Sequence, residues 1–362
     1  MTGGYAGHTL SPGDLAGLGA GDLPPPLIDT LKRAIASRNI ALLESVRRLS
    51  ATSATGSSAA SAIDGLWRRL GSRPSHALDV LISPQLGAWA DDALRCGSGD
   101  ADVLLAALER ETRPVVLDGP GRLRLRFETG EPLRGHFGLA VPERPEQAGW
   151  AELCRQAWRL LRARHPRVAA ALAELVTTVV PVVAPAPPDS FSATSGAAFG
   201  AIALSPPADA ADLAATFTHE LQHQVLGAAE EIVALTVAGH PGRFAVHWRE
   251  GERDAAATLQ GVFAHVAVAE FHRAEWQAGP REAGHGHATA FALWRLATDR
   301  AMRQLRRSDA LTPAGAVLAR SLEARIRINL AEPVPAPAVH AAEDALAGER
   351  GNDLSPSPPH RG

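Results

Sequence analysis

Hydrophobic positions divide the chain into long helical stretches around a short strand-rich middle. From about residue 11 to 108 the apolar residues recur at helical spacing, as at Leu27, Leu31, Ile35, Leu42, Leu43 and Val46, and Trp67 and Trp89 can anchor a packed bundle. The period changes at Pro114. Val115-Val116-Leu117, then Leu123, Leu125 and Phe127, flank Gly119-Pro120-Gly121, which predicts two short strands and a turn. Residues 150–168 return to helix, with Leu153, Ala157, Leu160 and Leu161 facing inward. Residues 179–183, 192–194 and 199–204 read as strands. Ser205-Pro206-Pro207-Ala208-Asp209 then signals a helix start, with the prolines placed in the first turn, and Leu213, Phe217, Leu221 and Val225 form its buried stripe. Further helices are predicted at about 254–276, 288–307 and 312–328. The expected architecture is α+β and predominantly helical. It comprises a helical region over 1–112, an α/β region over 113–331 and a disordered, Pro- and Ala-rich tail over 332–362.

The chemistry-bearing string lies inside the striped helix: His219-Glu220-Leu221-Gln222-His223, an HExxH. Positions i and i+4 differ by about 40° around a helix and about 6 Å along it, so both imidazoles can grip one ion. Glu220 leaves the same helix near enough to act as a general base or to orient a ligand. The strand expected over 199–204 leads into this helix. An open edge there would offer backbone hydrogen bonds to an extended peptide, the alternative being an ordinary sheet strand.

Composition narrows the classes. A chain of 362 residues with 46% hydrophobic content can bury a large core, and a net charge of -3 carries no polyanion-binding signature, which argues against a nucleic-acid ligand. Cys96 and Cys154 form no CxxC pair, no secretion signal is recognisable and no apolar run reaches the roughly 20 residues of a membrane span. A cytoplasmic protein without membrane contact is expected.

Two histidines rarely complete a catalytic metal site. Glu230 is on nearly the same face as His219 but about 16 Å along the axis, and Leu226 and Ala229 occupy the glycine and histidine positions of a metzincin pattern. A third ligand must come from another element. His265 sits in the otherwise apolar run Gly261-Val262-Phe263-Ala264-His265-Val266-Ala267-Val268-Ala269-Glu270-Phe271, where a polar ring needs a partner, either a metal or a backbone carbonyl. Glu270 is the carboxylate alternative. His247, His272, His285 and His287 read as surface or loop residues.

These segments resemble a bacterial family of HExxH-motif domains that act in ribosomal-peptide modification, some standing alone and some fused to radical-SAM maturases. The resemblance is carried by His8-Thr9-Leu10-Ser11, Ser192-Ala193-Thr194, Phe199-Gly200-Ala201-Ile202-Ala203-Leu204-Ser205, Thr218 to His223, Trp248-Arg249 and the His265 helix. It spans most of the chain to about Leu330. It implies an iron(II)- and 2-oxoglutarate-dependent peptide β-hydroxylase with His219, His223 and His265 as iron ligands. It also implies a zincin-like active-site helix beside a small sheet, with a second helix supplying the third ligand. The implied partners are a ribosomal precursor peptide and a radical-SAM maturase of the same pathway. The distal carboxylate of 2-oxoglutarate needs a cation, for which Arg253 is the first candidate and Arg249 the second. The family often has a DPRP-like string here, where this chain reads Gly251-Glu252-Arg253-Asp254.

Two other readings use the same residues. A zinc metallopeptidase would employ Glu220 as general base toward a metal-bound water. A peptide-binding scaffold would need no turnover.

Overall fold

The computed structural model describes the chain except residues 1–6, 52–56, 73, 98, 110–114, 118–121, 139–146, 184–190, 280–283 and 353–362. The protein is predominantly helical with a small mixed sheet. In chain order the described helices are α1 (Pro12–Ala20), α2 (Pro25–Ala51), α3 (Ser57–Ser72), α4 (Ala77–Leu81), α5 (Pro84–Cys96), α6 (Ala101–Glu109), α7 (Leu133–Phe137), α8 (Gln147–Arg164), α9 (Pro166–Leu175), α10 (Ala210–Glu230), α11 (Ala255–Ala278), α12 (Gly284–Arg307), α13 (Pro313–Ala331) and α14 (Ala336–Asn352). The strands are β1 (Val115–Leu117), β2 (Leu123–Phe127), β3 (Thr178–Pro181), β4 (Ser192–Ala193), β5 (Ala201–Leu204), β6 (Phe244–Ala245) and β7 (Glu252–Arg253).

Contacts group these elements into two compact units. One contains the residues up to Leu10 and Leu23–Val233; the other contains Ser11–Asp22 and the chain from Ala234 onward. The boundary does not fall after residue 112, because α2 packs on α5, α9 and α10 within a single unit.

The first unit holds a five-stranded sheet in the order β1-β2-β3-β5-β4. β2, β3 and β5 run parallel, while β1 and β4 pair antiparallel at the two ends. β3 and β5 are buried at every position, as apolar parallel strands require. β5 is hydrogen-bonded on both sides, so it is an ordinary interior strand and offers no edge to a peptide; that edge belongs to β4. Leu43, Val46, Ile63, Leu66, Leu86, Trp89 and Leu104 build a helical core between α2, α3, α5 and α6. Helix α8 ends before His165-Pro166, where one continuous helix had been expected, because a proline cannot continue the ladder but starts α9 well.

The second unit is built on α11 and α12, with α13, α14, α1 and the β6–β7 hairpin packed around them. Gly19 is obligatory in α1, since a Cβ there would collide with the Leu318 carbonyl of α13. The tail expected to be disordered instead forms α14 over its first part. Ala338, Ala342 and Leu346, spaced four residues apart, are buried, and α14 packs on α12. Residues 353–362 lie outside the described residues. No helix among the described residues is long and apolar enough to cross a membrane. Both cysteines are free, and burial pushes the Cys154 thiol up to about 12.

Candidate metal centre

Helix α10 presents the HExxH. Its N-cap is Asp209, whose carboxylate accepts from the backbone N–H groups of Ala211 and Asp212. The helix therefore starts after the two prolines, which were expected inside its first turn: an aspartate side chain satisfies the orphan donors directly. Leu213, Phe217, Leu221 and Val225 are fully buried and fix the rotation of the helix. That rotation leaves His219 and His223 at the border of the buried face, both half-buried.

Their Nε2 atoms face each other at 3.0 Å, with the ring planes 77° apart. Two nitrogens each about 2.1 Å from one ion, at a right-angle bite, would stand about 3.0 Å apart. Glu220 is 2% exposed, and its Oε1 accepts a 2.6 Å hydrogen bond from Ser192 Oγ on β4. Its Oε2 is buried with no hydrogen-bond partner among the described residues. A buried carboxylate oxygen left in that condition is costly unless a further group completes it. The two convergent imidazoles fit a metal, and the Glu220 oxygen, on the same helix, is free to take a water or a proton.

Sequence reading missed what anchors this helix. Gln224, one residue past the motif, donates from Nε2 to the Ala201 carbonyl at 3.0 Å and accepts at Oε1 from the Gly200 N–H at 2.9 Å. Its amide thereby joins α10 to the start of β5. Gly200 has φ +92°, a conformation that favours glycine. At the far end, Arg38 of α2 pairs with Glu231 at 3.3 Å. Ser192 gave no warning of its role either: a lone serine in a strand carries no pattern.

His265 belongs to the second unit, on α11. It is 6% exposed, and its Nδ1 donates to the Gly261 carbonyl at 2.8 Å. The backbone partner anticipated for this ring is thus present. It also fixes the tautomer, since a carbonyl can only accept, and so the neutral ring carries its lone pair on Nε2. Metal-binding histidines are commonly oriented in this way. The ring stacks on Trp248 at 4.7 Å and lies 4.2 Å from the Trp294 ring. Gly261 is what admits Trp248, because a Cβ at Gly261 would strike the indole.

Glu270, the carboxylate alternative, is held by Arg325 through two hydrogen bonds of 2.9 and 2.6 Å, so it is already committed to an ion pair. Arg253 is half-buried in β7, directly before the α11 N-cap Asp254, and Arg249 is exposed in the preceding turn. His272 and His287, expected in loops or at the surface, are half-buried on α11 and α12 with their Nδ1 atoms 2.8 Å apart. The structure thus brings together His219 and His223, with Glu220 on the same helix turned to Ser192, while His265, Arg253 and Arg249 belong to the other unit.

No protein-family model matches this chain, and no curated protein is significantly similar to it.

Proposed function

We propose that the protein is an iron(II)- and 2-oxoglutarate-dependent oxygenase that hydroxylates a β-carbon in a ribosomally made precursor peptide. The observation that carries a metal-dependent function is the pair of Nε2 atoms 3.0 Å apart on a helix that also carries the uncompleted Glu220 carboxylate. The family resemblance turns that site toward oxygenase chemistry. On this reading the fold is zincin-like, with α10 as the active-site helix beside the sheet and α11 as the helix supplying the third ligand.

His219, His223 and His265 would hold the ion, a three-ligand set of the kind that leaves coordination positions for a co-substrate and oxygen. Iron bound there would supply oxygen activation coupled to decarboxylation of 2-oxoglutarate. Glu220, oriented by Ser192, holds a water or ligand through its second oxygen. Arg253 grips the distal carboxylate of 2-oxoglutarate, with Arg249 as the alternate cation. A substrate peptide adds along β4, the strand whose Ser192 touches Glu220. The setting is cytoplasmic, and a radical-SAM maturase of the same pathway is a candidate partner.

The test combines purified protein, iron(II), ascorbate, 2-oxoglutarate and precursor peptides encoded near its gene. Succinate formation with a gain of one oxygen on the peptide is the expected result. Peptide cleavage without a 2-oxoglutarate requirement would overturn it in favour of a zinc peptidase with Glu220 as general base, a reading that the partnerless Glu220 oxygen also supports. Binding of peptide with neither reaction would favour a scaffold. Arg253→Ala should weaken 2-oxoglutarate binding by about tenfold or more, measured by calorimetry.

A further inference from the structure

Away from the HExxH, the first unit aligns three further side chains. Asp92 comes from α5, His136 from α7 and Ser195 from the segment after β4. Ser195 Oγ lies 2.8 Å from His136 Nε2, and His136 Nδ1 lies 3.0 Å from Asp92 Oδ1. With Asp92 ionised, Nδ1 must carry the proton, which leaves the Nε2 lone pair directed at the serine hydroxyl. A hydroxyl, a base and a carboxylate bonded in that order define a nucleophilic triad by geometry, whatever their order in sequence.

The surroundings favour this use. The His136 side chain is 7% exposed, which holds the ring still, while Ser195 is half-buried and remains reachable. Arg38 braces the next two residues, donating to the carbonyl of Gly196 and, at 3.2 Å, to that of Ala197. In a planar trans peptide the N–H points opposite the C=O, so the N–H of Ala197 faces away from Arg38, while Ala198 is fully buried. Backbone N–H groups just after a nucleophile are suited to stabilising charge on a substrate oxygen. Asp91, Asp92 and His136 also lie close enough to share a cation. However, Arg95 already bonds both carboxylates, and His136 Nδ1 is turned to Asp92.

We infer that Ser195, His136 and Asp92 form a second, metal-independent reactive centre that cleaves small activated acyl esters. Ser195 Oγ bonds to the acyl carbon while His136 Nε2 takes the hydroxyl proton. The bond to the leaving oxygen breaks, and that oxygen receives the proton. Water then attacks the acyl-serine by the same relay, releasing the carboxylic acid and restoring Ser195. Asp92 acts as a positioning residue.

The experiment treats the full-length protein, with and without a chelator, with a fluorophosphonate probe and with 4-nitrophenyl acetate. The expected result is one adduct mapped to Ser195, insensitive to chelation, abolished in Ser195→Ala and slowed at least ~100-fold in His136→Gln. Asp92→Asn should slow labelling and Asp92→Glu should restore part of the rate, whereas a purely structural role would leave labelling unchanged in any variant that stays folded. Circular dichroism melting of each variant confirms folding. Absence of a Ser195 adduct in folded protein, or equal labelling of His136→Gln, overturns the proposal. So does a second bound divalent ion that disappears in Asp91→Asn, which would assign the cluster to a metal.

Discussion

Helices α10 and α11 each carry imidazoles assigned to one proposed ion, but they hold them by different means. On α10 one face is buried and the rings emerge at its border, half-buried, with their Nε2 atoms facing each other. On α11 every residue from Gly261 to Ala269 is buried, and His265 is fixed by a backbone carbonyl and two indoles. The first arrangement leaves the ligands room to settle onto an ion. The second sets its ring in advance, so that any ion must conform to it. The α10 pair is therefore the adaptable part of the proposed site and His265 the rigid part.

The comparison can be broken most decisively through the ion itself. His219→Ala and His265→Ala should each abolish stoichiometric iron, read by elemental analysis of folded protein; iron retained in His265→Ala alone would separate the two helices functionally. Glu220→Gln should keep the ion yet lower turnover by about 10²–10⁴-fold if Glu220 moves a proton, and by only about 10–100-fold if it merely orients a ligand. Gly261→Ala sharpens the contrast in rigidity. Pushing Trp248 off its seat should cost about 1–3 kcal/mol in denaturant unfolding and weaken iron binding without touching a ligand. The smallest effect is expected at Asp209→Ala, which removes the α10 cap and should cost about 1 kcal/mol while leaving iron content unchanged.

What could be read from sequence follows the same contrast. The α10 stripe, its HExxH and the strands β1 to β5 are local patterns, written in periodicity and in i, i+4 spacing. His265 was legible for the opposite reason, as a polar residue in an apolar run. Gln224, Ser192 and Arg38 were not legible, because each acts on main chain or side chains remote in sequence and belongs to no repeat. The same holds for Asp92, His136 and Ser195, which only the packing of α5, α7 and the segment after β4 brings into line. Helix α14 was overlooked because its composition, rich in alanine and proline, outweighed a four-residue apolar spacing that was present throughout.

The placement of α1 bears on how the chain is made. Ser11–Asp22 belongs with residues beyond Val233, and Gly19 nests against Leu318. Helix α1 is made well before α13 and must therefore wait for it before it gains that neighbour. A single cut at Val233 would strip the C-terminal piece of that helix, and a fragment meant to stand alone would need it supplied again as a separate peptide or a fused linker.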